Sequence, residues 1–295
     1  MNQNRRIKVL LIGETGLLGS SFERYFRLIS FKDYRTISRS GNDILLDLTK
    51  TNELIKILDS FKPLYIINCA ADLSVNNSQP TLMSWSINTK LLETLTNFCK
   101  SNKSKLLHFS TDQYYTIGED KLHKEDEIVS LMNTYAVQKY SAEKIALLDT
   151  NSLVVRTSFV GFDDKQKNNL LYWILNEFKS SLKTNIYCDA WTTSLYVDDL
   201  VVLSCRLVFG KNATGLYNLG TQTAYTKADL FQRLAKSLKV NDAQYILTRL
   251  ADLNPKRPRS LGLDSSKASK LLKCKMPTFD QTIEKIVENM KGRLL

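Results

Sequence analysis

Tyr135 and Lys139 stand four residues apart in the segment NTYAVQKYSAEKIALL (133–148), which has the pattern of a helix. On one helix face, the ammonium would lower the pKa of the phenol from its usual value of about 10. Such a phenol can protonate a ketone oxygen while a hydride reaches the carbonyl carbon, and Lys139 can also hold the nicotinamide ribose. Thr111 ends the apolar segment KLLHFST and offers a hydroxyl to the same oxygen. The three residues predict a carbonyl reductase.

A glycine-rich loop precedes this centre, at the end of the first apolar run, IKVLLIG. The loop reads Gly13-Glu14-Thr15-Gly16-Leu17-Leu18-Gly19 and opens directly into a helix-like stretch. Glycines there allow a tight turn and let backbone N–H groups approach a pyrophosphate. Three glycines alone are a weak signal, since they also make plain turns, but their place at the first strand-to-helix junction favours a dinucleotide site.

The second strand candidate, YRTIS (34–38), ends in Ser38 and is followed by Arg39. A dinucleotide site for NAD usually has an acidic residue here that binds the adenosine ribose. Arg39 instead suggests a contact with the 2′-phosphate of NADPH, although a solvated loop arginine would look the same. The cofactor is therefore predicted to be NADPH or NADH.

The elements that must position these residues alternate along the chain in β-α-β order, which argues for a parallel sheet covered on both faces. We predict an α/β fold, a Rossmann-like doubly wound sheet with a smaller C-terminal substrate-binding domain. Residues 1–160, with about 193–222, are assigned to the cofactor domain. Residues 161–192 and 223–295 are assigned to the substrate domain, whose last part is expected to be rich in loops.

Composition excludes several other classes of protein. The chain has 295 residues, a formal charge of +11 and 43% hydrophobic residues, which suits a globular protein of one or two domains. Its lysines are spread along the chain rather than interleaved with aromatics, so nucleic acid is not an expected partner. No stretch has the length of a membrane helix. Five scattered cysteines and two histidines predict no metal site and no disulfide framework, and we expect a cytoplasmic protein.

The motifs GETGLLG, NCAAD, HFSTDQYY, NTYAVQK and VVRTSFV, in this order, resemble those of the dTDP-4-dehydrorhamnose reductase family. The resemblance covers nearly the whole chain and reaches Asp189-Ala190-Trp191-Thr192-Thr193 and RPRSLGLDSSKASKLL. It implies reduction of the 4-keto group of a nucleotide-linked deoxysugar by NADPH or NADH, in activated-sugar biosynthesis.

The family's site residues carry over position by position. The resemblance implies catalytic roles for Tyr135, Lys139 and Thr111, and substrate contacts for Asp112. Its cofactor contacts match Gly16, Leu17, Leu18, Asp47, Leu48, Ala70, Ala71 and Asp72. The resemblance also favours a grip of Arg257, with Arg259, on the substrate diphosphate, although a solvated basic loop would look the same.

The sequence departs from the family where the sugar would lie. Gln113-Tyr114-Tyr115 replaces the usual aromatic, valine and phenylalanine after the threonine-aspartate pair, and Phe159 stands where tryptophan is common. The departures leave the sugar undetermined. Nucleotide-sugar 4-epimerases and 4,6-dehydratases share the fold, although Gln113 lacks the acid-base group typical of dehydratases. A non-catalytic subunit resembling the methionine adenosyltransferase beta subunit is a further alternative, and the oligomeric state is open, with a homodimer among the options.

Three further polar residues are not assigned to the predicted catalytic centre. Asn88 suits either a proton relay or a buried cap on a backbone group. His108 lies inside an apolar strand and is expected to be a satisfied core residue, whereas His123 is expected on a polar loop.

Overall fold

The computed structural model describes residues 7–73, 81–163, 167, 169–180, 182–240, 244–254 and 257–294. The strands are β1 Val9–Ile12, β2 Tyr34–Ser38, β3 Ile44–Leu45, β4 Tyr65–Asn68, β5 Lys105–Phe109, β6 Leu153–Thr157, β7 Phe159–Val160, β8 Thr184–Tyr187, β9 Trp191–Thr192, β10 Leu195–Tyr196, β11 Gly215–Leu219, β12 Tyr225–Thr226, β13 Tyr245–Thr248 and β14 Ser260–Leu261. The helices are α1 Leu17–Leu28, α2 Thr51–Phe61, α3 Leu82–Trp85, α4 Leu91–Asn102, α5 Thr134–Ala146, α6 Leu170–Lys179, α7 Val197–Cys205, α8 Lys227–Ser237, α9 Ser266–Leu272 and α10 Phe279–Leu294.

Shorter helical turns complete the chain. A π-helical segment, Ser86–Lys90, joins α3 to α4, and a second one, Arg206–Gly210, follows α7. A 3₁₀ turn spans Leu250–Asp252.

The central sheet has seven strands in the order β11-β6-β5-β4-β1-β2-β3. Neighbouring strands from β6 through β3 are parallel. The four residues of β1 and the five of β5 are all buried, as expected for strands covered on both faces. The strand order reverses between β1 and β4, and ligands of such sheets bind outside the carboxyl ends of the strands at this point. The predicted Rossmann-like α/β fold is confirmed.

The chain forms two compact units. The first comprises residues 1–110, 133–155 and 204–217, and the second comprises residues 111–132, 156–203 and 218–295. The first unit has an aliphatic core between the sheet and its helices, in which Leu10, Ile66 and Val154 are fully buried. The division differs from the predicted one, because residues 111–132, 156–160, 193–203 and 218–222 belong to the second unit.

The second unit has its own core, built from α6, α8 and α10, and includes Leu171, Phe231 and Ile286. Three small sheets belong to it, β10-β7, β12-β9-β14 and β13-β8. Helix α8 begins with a capping box in which Thr226 and Asp229 satisfy each other's backbone N–H groups. The second unit, predicted to be smaller and rich in loops in its last part, is about as long as the first, and its last part contains α8, α9 and α10 beside the loops.

None of the helices in the described part of the chain has the length and apolar character needed to cross a bilayer.

Candidate active site

The loop after β1 has the geometry of a dinucleotide site. Gly13 has a φ of +88°, and a Cβ there would lie 2.8 Å from the backbone nitrogen of Ala70, so the loops after β1 and β4 approach too closely for a side chain. A Cβ on Gly19 would lie 2.1 Å from the carbonyl oxygen of Gly13. Both positions require glycine because neighbouring backbone fills the space.

Gly16 is the N-cap residue of helix α1, and a Cβ there would meet only the Gly13 carbonyl oxygen, 3.6 Å away. No side chain caps this helix end, and its first turn has no acidic residue. The N–H groups of a helix N-terminus attract phosphate when no side chain satisfies them. The loop therefore fits the pyrophosphate of a dinucleotide. Thr15 and Leu17 are half-buried there, and Leu18 packs in the interior.

The carboxyl end of β2 is contacted by a residue of the glycine loop whose role was not predicted. Glu14 is buried, and its Oε1 accepts hydrogen bonds from Ser38 Oγ and from the backbone N–H of Asn42, both at 3.0 Å. Arg39 follows Ser38 and is exposed. A carboxylate thus reaches the end of β2 from the glycine loop, although the strand itself ends in serine.

The remaining predicted cofactor residues lie in loops of the first unit. Asp47 accepts from the backbone N–H and hydroxyl of Thr49, which together lower the pKa of its carboxyl group, and Leu48 packs against the core. Ala70 donates its N–H to Asn68 and Ala71 is exposed. Asp72 is held through its backbone.

Asn88 is the residue that holds Asp72. Its Oδ1 accepts the Asp72 N–H at 2.7 Å, and its Nδ2 donates to the Asp72 carbonyl and to Gln138 Oε1. Gln138 in turn donates to Ser84 Oγ. Of the two roles open for Asn88, the backbone cap is the one that the contacts describe, and it ties the loop after β4 to α5.

Helix α5 carries Tyr135 and Lys139, and Asn133 caps its first turn by accepting the N–H of Ala136 at 2.8 Å. Both predicted catalytic side chains are buried. The Lys139 ammonium donates to the carbonyl oxygen of Phe109 at 2.5 Å, and its Nζ lies 3.3 Å from His108 Nε2.

Burial lowers the pKa of Lys139 to about 8, while Glu143 and Cys69 act in the opposite direction. Glu143 Oε2 accepts from Ser110 Oγ at 3.0 Å. The lowered pKa of Lys139 lies close to the range in which a lysine exchanges protons at neutral pH.

Thr111 and Asp112 follow Ser110 and begin the second unit. Thr111 Oγ1 accepts the N–H of Gln113 and lies 3.4 Å from Asp112 Oδ1. Within the described part of the chain, the buried Asp112 Oδ2 has no hydrogen-bond partner. Burial raises the pKa of Asp112 to about 7, partly offset by Lys227 and by hydrogen bonds from Thr111 and Ser158. Such a carboxyl group can donate or accept a hydrogen bond near neutral pH.

The aromatic residues that depart from the family pattern are structural in this unit. Tyr115 accepts from Arg156 Nη1 at 2.9 Å and stacks on His123 with ring centroids 4.0 Å apart, while the Arg156 guanidinium lies over Tyr114. His123 lies on an irregular segment, as predicted, but it is buried there and contacts Glu127 and Ser260.

The remaining predicted substrate residues also lie in the second unit. Phe159 is half-buried on β7, beside β10. Arg257 is exposed, and its charge lowers the pKa of Lys227, for which burial is the larger cause. Arg259 lies 3.6 Å from Asp189, which also accepts the N–H groups of Leu250 and Ala251.

A model of the RmlD substrate binding domain family matches residues 7–291. The chain belongs to this family. A dTDP-4-dehydrorhamnose reductase of Aggregatibacter actinomycetemcomitans is 30% identical to it over 218 residues, 72% of each chain. The reductase of the same name from Escherichia coli K12 is 24% identical over 302 residues and spans 96% of this chain and 98% of its own length.

Solved structures show the same fold in other RmlD relatives. A dTDP-4-dehydrorhamnose reductase from Bacillus anthracis, crystallised with NADP, superposes with a TM-score of 0.84 at 19% identity and covers 96% of this chain and 99% of its own. The family match over residues 7–291 therefore confirms the predicted family, and the solved structure shows the same fold.

Proposed function

We propose that this protein is an NADPH-dependent reductase of the 4-keto group of a nucleotide-linked 6-deoxysugar. The names of its curated relatives describe the same kind of reaction. The observation that carries the proposal is Lys139, buried and held by the Phe109 carbonyl one helical turn from Tyr135. The names of the curated relatives and the NADP bound to the Bacillus anthracis structure support the substrate class and the cofactor.

The dinucleotide, when bound, supplies the hydride that reduces the ketone. Tyr135 donates a proton to the oxygen that gains negative charge, because Lys139 stabilises the phenolate left behind. Thr111 donates a hydrogen bond to the same oxygen. Lys139 also holds the nicotinamide ribose, and the glycine loop binds the pyrophosphate through the N–H groups at the start of α1.

Several further contacts belong to the proposal. Leu17, Leu18, Asp47, Leu48, Ala70, Ala71 and Asp72 are assigned to the cofactor, and Asp112, Phe159 and Arg257 to the nucleotide sugar. Ser38 and Arg39 are assigned to the adenosine ribose and its 2′-phosphate. The protein is placed in the cytoplasm, where its five free cysteine thiols would stay reduced. The homodimer option is tested by light scattering.

NADPH oxidation tests this function. The purified protein is given dTDP-4-keto-6-deoxy-L-mannose, the same sugar on UDP, and a 4-keto sugar of the opposite configuration. We expect turnover with at least one of these compounds. Tight cofactor binding without turnover of any of them would favour the non-catalytic alternative, and epimerised product without net NADPH oxidation would identify an epimerase.

A further inference from the structure

His108 lies between β4 and the catalytic lysine. The side chain is 1% exposed; its Nε2 lies 3.3 Å from Lys139 Nζ and its Nδ1 lies 3.3 Å from Asn68 Nδ2. Burial and the nearby Lys139 charge lower the pKa of His108 well below its usual value, so the imidazole is neutral. A neutral imidazole has one N–H donor and one acceptor nitrogen. The position of that single proton decides whether Nε2 presents a hydrogen-bond donor or an acceptor to Lys139.

Asn68 determines the position of the proton. Its Oδ1 accepts the backbone N–H of Ala70 at 3.1 Å, and this contact fixes the orientation of the amide, because a reversed amide would point a donor at a donor. The NH₂ group of Asn68 therefore faces His108 Nδ1 and must donate to it. Nδ1 is the acceptor, and the proton resides on Nε2, facing Lys139.

An N–H group directed at an ammonium is unfavourable, since both are donors, whereas a neutral amine can accept it. The ammonium donates to the Phe109 carbonyl on β5. Among the residues that the structure describes, Glu143 on the same helix and Cys69 after β4 raise the pKa of Lys139 and so favour the charged lysine. Tyr135 lies one turn earlier on α5. His108 is thus the neighbour that favours the uncharged amine.

We propose that His108 is a positioning residue that acts through Lys139, offering its Nε2–H to the neutral amine formed during the reaction. This inference rests on the proposed function. When Tyr135 gives its proton to the substrate oxygen, an O–H bond forms on substrate and breaks on the phenol. Lys139 then protonates the phenolate, and the lone pair left on Nζ accepts the Nε2–H hydrogen bond. His108 keeps its proton throughout, and solvent returns a proton to the lysine.

The tautomer can be observed directly, because the chain has only two histidines. A long-range ¹H–¹⁵N correlation spectrum of the full chain, recorded from about pH 6 to about pH 8, reports the protonation of each ring nitrogen. The signals of His108 are assigned by their loss in His108→Phe. We expect a neutral ring protonated on Nε2 across this range. A ring protonated on Nδ1, or a charged imidazole near pH 7, would overturn the inference without bearing on catalysis.

Kinetics provides a second test. Loss of the Nε2–H donor in His108→Phe should move the alkaline limb of the kcat profile upward by about half to one pH unit, the equivalent of one net hydrogen bond. Asn68→Asp should also move the limb upward, because a carboxylate would accept from Nδ1–H and leave Nε2 to accept from the ammonium. His123→Phe is the matched control, since it removes the other buried histidine and should not move the limb.

A purely structural histidine would lower kcat at every pH in His108→Phe and leave the limb in place, and that result would refute the positioning role. If no nucleotide sugar is turned over, the proposed function fails, while the tautomer measurement still decides whether the Asn68, His108 and Lys139 arrangement exists.

Discussion

Asp112 should make the stability of the protein depend on pH. Its carboxyl group is 4% exposed, and burial raises its pKa from 3.8 to about 7. A shift of roughly three units corresponds to a cost on the order of 4 kcal/mol for the ionised group in the folded protein, at about 1.4 kcal/mol per unit. The folded state therefore holds a proton that the unfolded state has lost, and the free energy of unfolding falls as the pH rises from about 4 to about 7.

Asp112→Asn removes this proton-linked cost. Relative to the wild type, the variant should gain roughly 3–4 kcal/mol in free energy of unfolding between about pH 4 and about pH 8. Urea unfolding at a series of pH values measures the difference, with tryptophan fluorescence as the probe, since Trp173 and Trp191 lie in the same unit as Asp112. Asp120→Asn, at an exposed position of that unit, is the matched control.

The reasoning fails if the difference between Asp112→Asn and wild type is the same at every pH. It also fails if the wild type gains stability relative to the variant as the pH rises, because that would mean that the folded protein favours the ionised carboxylate.

Three further predictions concern the cofactor preference, the glycine loop and the hydrogen bonds of Asp189. Glu14→Gln should raise the ratio of kcat/KM for NADPH to that for NADH by about tenfold, because the Glu14 carboxylate would repel a nearby 2′-phosphate. Arg39→Ala should lower the same ratio. Equal effects on both cofactors would contradict the assignment of these residues to the 2′-phosphate. Gly19→Ala should lower the free energy of unfolding by about 1–3 kcal/mol, measured by thermal unfolding, because the added Cβ would clash with the backbone of Gly13. Gly16→Ala is the matched control and should be as stable as the wild type, because its Cβ has room. Asp189→Ala should lower the free energy of unfolding by about 1–3 kcal/mol and speed proteolysis near residue 250, since the N–H groups of Leu250 and Ala251 lose their acceptor. An unchanged rate of proteolysis would show that Asp189 does not hold this segment in place.

The first unit could be predicted well from the sequence, because its strands are continuous apolar runs and its helices are amphipathic. The bounds of β2 match the predicted segment 34–38. The two-residue strands β3, β9 and β12 were not predicted, since so short a segment shows no periodicity. Helices α8 and α10 were not predicted, because the arginine-proline stretch between them favours an end that is rich in loops.

Domain division and neighbours in space were harder to predict. The segment 111–132 directly follows β5, and only packing assigns it to the second unit. His108 was expected to be a satisfied core residue, and its approach to Lys139 depends on how β5 pairs with α5. Glu14 was part of the glycine motif, but its hydrogen bond from the Asn42 N–H requires the loop after β2 to fold back. These contacts join residues distant in sequence, and one sequence gives no signal for them.

The central claim is that Tyr135 donates the proton that completes reduction. Its most direct test is the single-turnover rate of NADPH oxidation by Tyr135→Phe with dTDP-4-keto-6-deoxy-L-mannose, beside the wild type and Tyr140→Phe, a control on the same helix. We predict a fall of about 10²–10⁴-fold for Tyr135→Phe, with cofactor affinity retained and Tyr140→Phe close to the wild type. A wild-type rate in Tyr135→Phe would contradict the assignment.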